Sequence, residues 1–289
     1  MLCFVAAAIG NFLQIASKMS EKLQNLGDAM VSTQALHPNI YKLSMKYHEQ
    51  TLSQVLTVLQ SGCLAGTTIV TAGAWLGESA VPLAQRGLAT GQRVYAIDPT
   101  KSNLEFIELQ KQKHSLENLH LVHSLLSDSA TQRFWTNRRA GSPAARFVPS
   151  DAEPELASNA SAVQSTTVDL MVREGTVVGH VGLLHFDVEG MEFEVVRGSL
   201  RTLHTFSPVL VVESMKDDAE KHLKLHKLLR DRNYTASWKV QEKCAFLDVL
   251  DKKHCRNHIY LHSSSPCLKS VSALPTFILA PTGSVASEA

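Results

Sequence analysis

From residue 67 to residue 262, short apolar runs rich in β-branched residues alternate with stretches that have the periodicity of amphipathic helices. Helices that alternate with strands cross over a sheet, and the strands that they join pair in parallel. The alternation therefore predicts an α/β fold with a doubly wound, mostly parallel sheet. Five main strands are predicted, at residues 67–72, 93–97, 119–126, 181–186 and 209–212.

The helices and the last two strands complete this pattern. Helices are predicted at residues 78–88, 101–114, 192–203 and 217–230. Two final strands are predicted at residues 234–240 and 258–262, with no helical pattern between them. Successive strands that lack a crossover helix pair antiparallel, so we expect an antiparallel hairpin at one edge of the sheet.

Three segments lie outside the alternation. Residues 1–60 have helical periodicity and predict an N-terminal helical segment ahead of a main domain at residues 61–262. Residues 137–165 are rich in Ala, Ser and Pro, and we expect a surface insertion or flexible loop there. Residues 263–289 are rich in Ser and Pro and predict a loose C-terminal tail.

The apolar run from Leu2 to Ile9 has two explanations. It is much shorter than the roughly 20 residues that span a bilayer, and no Lys or Arg precedes it as in a signal peptide. We expect an amphipathic helix that packs on the domain. A signal or a membrane anchor, with membrane contact through the N-terminus, is the alternative.

Charge and cysteine spacing argue against several classes of protein. The chain has 28 Lys and Arg against 27 Asp and Glu, so the basic footprint of a nucleic-acid-binding protein is not predicted. Its five cysteines form no CxxC motif, so neither a disulfide framework nor a zinc site is expected. Free cysteines favour a reducing compartment, and we expect a cytoplasmic location. The sequence leaves the oligomeric state open.

The turn after the first predicted strand, TAGAWLGES, contains Gly73 and Gly77. Glycine lets the backbone approach a ligand closely because it has no Cβ. Asp98 ends the second predicted strand, where an acidic residue accepts hydrogen bonds from a ribose diol in dinucleotide folds. Glycines and an Asp before Pro also form simple turns. Their placement on successive strands nevertheless favours a nucleoside-type ligand.

The spacing of these glycines distinguishes between such ligands. Pyrophosphate binders show G-x-G-x-x-G, and P-loops carry a Lys-Ser/Thr pair. Here the glycines are four residues apart with no third glycine, and no P-loop is present. S-adenosylmethionine has no phosphate and fits such a G-x-x-x-G turn.

Acidic residues follow the fourth and fifth main strands. Asp187 and Glu189 follow residues 181–186, and Glu213 follows residues 209–212. Parallel strands end at one edge of the sheet, where ligands bind in this fold, so we expect the three acids at that edge. The alternative is that Asp187 caps the next helix, with Glu189 stabilised by the helix dipole.

Six segments resemble, in the same order, the motifs of FkbM-type methyltransferases. They are IVTAGAWLGES (69–79), YAIDPTKSNLEFI (95–107), HSLLSD (123–128), TTVDLM (166–171), LLHFDVEGMEFEVVRGSL (183–200) and PVLVVES (208–214). The fifth is similar to the family's Lys-Ile-Asp-x-Glu-Gly signature, its most diagnostic motif. The resemblance extends from about residue 66 to 262. It implies a Rossmann-like methyltransferase fold and S-adenosyl-L-methionine as the cofactor.

The resemblance also implies roles for individual residues. The implied cofactor-binding residues are Thr71, Gly73, Gly77, Asp98, Ser127 and Asp128, the last two in the segment that faces the adenine. Thr71 replaces the family's acid, which helps to hold the methionine portion of the cofactor, and Trp75 replaces a smaller polar residue. His185 replaces the signature's Lys. A His within a strand is usually a hydrogen-bonded core residue, although alternation places His185 on the same face as Asp187.

By resemblance, the reaction is transfer of a methyl group to an oxygen, a hydroxyl of a small molecule or glycan. Asp187 is the expected base, with Glu189 or Glu213 orienting the acceptor. No metal is predicted, since carboxylates alone do not establish one. Two alternatives stay open. Thr71 and Trp75 fit an inactive, methyltransferase-like interaction protein, whereas a nicotinamide oxidoreductase is disfavoured by the missing third glycine.

Overall fold

The computed structural model describes residues 62–130, 133–137, 146–149, 161–213, 219–239 and 257–272. The helical segment predicted at residues 1–60 lies outside the described residues. The strands are β1 Thr68–Ala72, β2 Arg93–Asp98, β3 Leu119–His123, β4 Leu125–Leu126, β5 Arg133–Asn137, β6 Arg146–Pro149, β7 Ser161–Thr166, β8 Val181–Phe186, β9 Val209–Glu213, β10 Tyr234–Lys239 and β11 Asn257–His262. The helices are α1 Ala80–Leu88, α2 Lys101–Lys113, α3 Val168–Arg173, α4 Glu192–Arg197, α5 Leu200–Phe206, α6 Ala219–Arg230 and α7 Cys267–Ser272. None of these described helices is long and apolar enough to cross a membrane.

Seven strands form the main sheet, in the order β10-β11-β9-β8-β1-β2-β3. β1 pairs in parallel with both β2 and β8, and β9 continues the parallel arrangement beside β8. β11 runs antiparallel to both β9 and β10. The prediction of a mostly parallel, doubly wound sheet with an antiparallel edge hairpin is therefore confirmed. The strand order reverses between β1 and β8, and ligands of such sheets bind beyond the carboxyl ends of the strands at this point.

Apolar side chains cover both faces of this sheet, because its central strands are buried along their whole length. Every residue of β1 and of β8 is buried. One face packs mainly against α1 and α2, with Leu83 and Ile107 fully buried. The other packs against α3 to α6, with Val195 and Leu229 fully buried. This burial explains why residues 181–186 lack polar alternation.

The third predicted strand, at residues 119–126, is divided in the structure. β3 stays in the main sheet, whereas β4 leaves it and pairs with β7. Between them, the Ser124 N–H donates to the carbonyl of Asp98 at 3.2 Å. The apolar pattern continues across the break because Leu125 and Leu126 are also buried.

The predicted helix at residues 192–203 is likewise two helices, α4 and α5. A Cβ on Gly198 would overlap the carbonyl oxygen of Ser127, so the chain approaches β4 too closely here for any larger residue. Asp169 caps α5 by accepting the N–H groups of Arg201 at 2.8 Å and Thr202 at 2.7 Å. The break thus depends on neighbours distant in sequence.

Residues 137–165, predicted as an insertion or flexible loop, include β6 and most of β7. β5 pairs antiparallel with both β6 and β7, which form a small second sheet with β4. Their hydrogen bonds come from the backbone, so an Ala- and Ser-containing sequence forms strands here without strong β propensity.

A disulfide between Cys63 and Cys267 joins the two ends of the described domain. The Cα atoms are 5.2 Å apart and the residues are separated by 204 positions. The expectation of no disulfide is therefore wrong for this pair, because sequence spacing does not reveal a contact made by the folded chain. The predicted loose tail includes α7, which this bond attaches to the core, and its residues 273–289 lie outside the described residues. Disulfides are typical of oxidising compartments.

Candidate active site

The turn between β1 and α1 is packed tightly against its neighbours. Gly73 and Gly77 have φ values of 77° and 88°, which favour glycine. A Cβ on Gly73 would overlap the backbone carbonyl oxygen of Asp187, and one on Gly77 would lie 2.9 Å from a methyl of Val81 and 3.2 Å from Ile107. Packing within the chain therefore requires both glycines, and their contact with a cofactor stays a prediction.

Asp98, at the end of β2, holds two turns together through its buried carboxylate, which is 2% exposed. Its Oδ2 accepts the N–H of Trp75 at 2.9 Å. Its Oδ1 accepts the N–H of Thr100 at 2.8 Å and the amide of Asn103 at 2.9 Å. Trp75 has a φ of 36°, an uncommon value for a non-glycine residue. A ribose diol that binds Asp98 must share or replace these donors.

Thr71 and His185, which both depart from the family pattern, are partners in the structure. They face each other in the register of β1 and β8. Thr71 Oγ1 lies 2.9 Å from His185 Nδ1, and both side chains are buried. A hydrogen-bonded pair thus occupies the positions where the family has an acid and a Lys. The interpretation of His185 as a hydrogen-bonded core residue fits this contact.

Ser127 and Asp128 contact β7 and α4. The Ser127 N–H donates to the carbonyl of Thr166 at 2.9 Å. Asp128 forms an ion pair with Arg197 at 3.1 Å. The guanidinium of Arg197 also lies 5.8 Å from the centre of the Phe193 ring. These contacts hold the end of β4 against α4, while the adenine-facing role of Ser127 and Asp128 stays a prediction.

The loop after β8 brings Asp187 next to the β1 turn. The Asp187 N–H donates to the carbonyl of Ala72 at 3.1 Å, which extends the pairing of β1 and β8 by one residue. Glu189 then has a φ of 54° and Gly190 a φ of 95°. The left-handed conformation of Glu189 is strained for a residue with a Cβ, and such strain is concentrated at functional sites.

Glu192, which the sequence analysis did not single out, stabilises this loop. Its Oε1 accepts the N–H groups of Val188 at 3.2 Å and Gly190 at 3.1 Å. The N-cap position of α4 is occupied by Met191, so Asp187 is not the cap of this helix. The sequence signal that could have identified Glu192 is its position, an acidic residue in the first turn of a helix shortly after Gly190.

Burial and neighbouring carboxyl groups raise the pKa values of two acids at this edge, Glu213 and Glu192. The negative charge of Asp187, followed by burial and a hydrogen bond with the Asp187 side chain, raises the pKa of Glu213 well above its ordinary value. The charges of Glu189 and Glu192 act in the same direction. Burial raises the pKa of Glu192 to about 7, although its backbone hydrogen bonds oppose this shift. Glu213 therefore favours its protonated form, which donates a hydrogen bond to Asp187.

The structure thus brings the three predicted acids, Asp187, Glu189 and Glu213, into one cluster, and it adds Glu192. One cation lies beside the cluster, because Lys221 donates to the carbonyl of Gly190 at 3.2 Å and pairs with Glu194 at 3.1 Å. A separate cleft, lined by residues of α5 and the turns before β10 and after β11, opens at the opposite edge of the sheet. Chemically, the cluster can accept, hold and return a proton at the switch point.

A family profile described as "Methyltransferase FkbM domain" matches residues 71–236. Among solved structures, the chain is similar to the methyltransferase FkbM from Methylobacillus flagellatus KT (13% identity, TM-score 0.48), with 67% of this chain covering 43% of that protein. It is also similar to an O-methyltransferase from Bacillus cereus (11% identity, TM-score 0.45, covering 82% and 94%). An rRNA methylase from Streptococcus thermophilus is a third (10% identity, TM-score 0.41, covering 72% and 93%). No curated protein sequence matches the chain.

Proposed function

Because the chain belongs to the FkbM family of S-adenosylmethionine-dependent methyltransferases, we propose that it methylates a hydroxyl oxygen of a small molecule or glycan. The observation that carries this proposal is the position of two carboxyl groups that form a hydrogen bond with each other: Asp187 follows β8, and Glu213 ends the neighbouring strand β9. A hydroxyl acceptor must lose its proton during methyl transfer, and a positioned carboxylate is suited to accept it.

The cofactor half of the proposed site is formed by β1, β2 and β4. The carboxylate of Asp98 would accept hydrogen bonds from the ribose diol, as its place at the end of β2 suggests. Gly73 and Gly77 would shape the turn that faces the methionine portion, near Thr71, and Ser127 and Asp128 would face the adenine. A buried carboxylate whose present partners are N–H groups fits the hydroxyl donors of a ribose. When bound, the cofactor supplies a sulfonium methyl group as the electrophile.

Asp187 is the proposed base. The acceptor oxygen would receive the methyl group that the bound cofactor supplies. The hydroxyl proton passes to the Asp187 carboxylate. Protonated Glu213 holds this carboxylate in place through their hydrogen bond. Glu189, from its strained backbone position, would orient the acceptor.

The acidic cluster also argues for the class of acceptor. The charged carboxylates of the cluster repel phosphates, and the chain's 28 basic residues are balanced by 27 acidic ones. A neutral hydroxyl compound is therefore a better acceptor for this site than a nucleic acid.

The test is methyl transfer from isotope-labelled S-adenosylmethionine, by the full chain, to a panel of hydroxyl-bearing small molecules and glycans, with structured RNA as the contrast. We expect label on a hydroxyl of one panel compound. Label on RNA alone would overturn the acceptor class. Mass spectrometry of ligands that copurify with the chain narrows the panel beforehand.

A second candidate function is an inactive, methyltransferase-like interaction protein. Two contacts favour it: the Trp75 N–H occupies Asp98, and Thr71 is bonded to His185 where the family has an acid. Detection of S-adenosylhomocysteine separates the two functions, because an active enzyme releases it on turnover whereas an inactive protein does not. Binding without turnover across the whole panel would favour this second function.

A further inference from the structure

Three histidines meet between α6 and β11, outside the acidic cluster. His222 and His226 lie on α6, and their Nε2 atoms are 2.7 Å apart. His258 lies on β11, with its ring centre 4.8 Å from that of His222 and 5.6 Å from that of His226. One nitrogen from each ring lies within 4.8 Å of the other two. We call His222, His226 and His258 the histidine cluster.

The fold explains why these rings meet. Residues four apart on a helix share a face, so His222 and His226 both point toward the sheet beside the buried Leu225 and Leu229. β11 pairs with β9 so that His258 is opposite Val212, on the sheet face that α6 covers. All three histidines are half-buried, so packing holds their rings in place, and the Nε2 atom of His258 is itself buried.

We propose that the histidine cluster binds one divalent transition-metal ion of the zinc class. Imidazole nitrogen is a preferred ligand of such ions, at about 2.0–2.1 Å. Two nitrogens of a tetrahedral site are then roughly 3.3 Å apart. The separation of 2.7 Å and the limit of 4.8 Å bracket this value. Small side-chain rotations therefore bring all three nitrogens to bonding distance without a change in the backbone.

The ligand set defines the kind of site. Three protein ligands leave one position of a tetrahedral ion for water, as in open zinc sites. The Tyr260 hydroxyl lies 3.3 Å from His226 Nε2, where it can hydrogen-bond to that water. The ion joins α6 to the edge strand β11 and so fixes the hairpin onto the rest of the sheet. This site is independent of the proposed methyl transfer.

The competing explanation is a hydrogen-bonded packing cluster, in which one neutral imidazole donates to the other across the 2.7 Å contact. The experiment that separates them uses the full chain, stripped with a chelator and titrated with Zn²⁺ against a chromogenic chelator. We expect one tight Zn²⁺ site per chain. His222→Ala, His226→Ala and His258→Ala should each weaken it by about 100-fold or more, since even loss of an outer-shell partner lowers metal affinity about 10–100-fold.

Two further variants keep this test decisive. His226→Gln retains much of the side chain that packs on Tyr260 but lacks the ligand nitrogen, so we expect a folded chain without the site. His114→Ala, at an exposed position after α2, should bind Zn²⁺ as the parent does. Zn²⁺ should raise the melting temperature of the parent and of His114→Ala, and not that of His226→Gln. No tight site in the parent, or tight binding that survives in all three alanine variants, would overturn the proposal.

Discussion

The carboxyl edge of the main sheet has two halves, and their carboxylates have opposite surroundings. At the end of β2, Asp98 is surrounded by donors, two backbone N–H groups and the amide of Asn103. At the ends of β8 and β9, Asp187 and Glu213 instead face each other and two further acids, which raises the pKa of Glu213. The first half fixes a carboxylate in position, whereas the second brings carboxyl groups close enough together to raise the pKa of Glu213.

This difference suggests a division of labour. A carboxylate held by several donors suits recognition of a ligand, because its geometry is fixed before binding. Carboxyl groups with raised pKa values suit proton transfer near neutral pH. The backbone connects the two halves directly, since Gly73 contacts the carbonyl of Asp187. Substitutions in each half should therefore impair different steps.

The largest expected effect is on the rate, from Asp187→Asn. The amide keeps the shape but cannot accept a proton, and loss of a general base typically lowers the rate about 10²–10⁴-fold. We expect single-turnover methyl transfer to fall by at least about 100-fold while cofactor affinity is retained. Glu189→Gln should have an intermediate effect.

The matched control for Asp187 is Asp169→Asn. Asp169 lies on α3 and accepts hydrogen bonds from α5. It is outside the acidic cluster, so the rate of the folded variant should stay near that of the parent. A near-normal rate for Asp187→Asn would instead direct the search for a base to Glu213 or His185.

The second effect is on cofactor binding, from Asp98→Ala. Losing charge-assisted hydrogen bonds costs roughly 1.5–3 kcal/mol, so the affinity for S-adenosylmethionine should fall about tenfold to a hundredfold. Calorimetry measures this affinity, and urea unfolding checks that the turns of Trp75 and Thr100 have not collapsed. If a folded Asp98→Ala binds as tightly as the parent, the first half is not the ribose site.

The third effect is on stability as a function of pH, from Glu192→Gln. Burial raises the pKa of Glu192 from 4.5 to about 7, so the folded state favours its protonated form. Its contribution to stability is present below the unfolded-state value and is lost as the pH rises through about 7. Gln still accepts the N–H groups of Val188 and Gly190 but carries no charge. At alkaline pH the variant should therefore be more stable than the parent by about 1–3 kcal/mol.

Urea unfolding at pH values on either side of this range measures that prediction. At acidic pH, where Glu192 is protonated in both states, the parent and Glu192→Gln should have similar stability. An advantage of the variant that is equal at both pH values would show that charge is not the cause.

The smallest expected effect is a loss of stability from Thr71→Val, at the place where the two halves of the edge meet. The hydroxyl is bonded to buried His185, so its loss should lower the free energy of unfolding by about 1–2 kcal/mol. Because this hydroxyl is engaged with His185, cofactor affinity should change less than in Asp98→Ala. An equal loss of cofactor affinity in the two variants would place Thr71 in direct contact with the ligand.

The main sheet could be predicted because its signals are local. β1, β2, β8 and β9 are mainly apolar and buried along most of their length, and helical stretches separate most of them. The break between α4 and α5 depends on Gly198 meeting Ser127, and the disulfide joins residues 204 positions apart. Periodicity carries no information about such distant contacts.

The candidate site, like the fold, could be predicted only where its signals are local in the sequence. Strand ends identified Asp98, Asp187 and Glu213, since parallel strands end at one edge. Their partners required the folded register. The pairing of Thr71 with His185 follows from the alignment of β1 with β8. The role of Glu192 depends on its side chain, which turns back to accept N–H groups of the loop.

The most direct test of the difference between the two halves of the carboxyl edge is the titration of Glu213 by NMR. The chains carry isotope-labelled carboxyl carbons in their glutamates. Glu213→Gln assigns the signal, and Glu192→Gln removes the other glutamate with a raised pKa. We predict that Glu213 keeps its proton well above the ordinary glutamate range. In Asp187→Asn, its midpoint should move down by about 1–3 pH units, because the main cause of its raised pKa is the charge of Asp187. An ordinary midpoint in the parent, or a raised midpoint that Asp187→Asn leaves unchanged, would contradict the account.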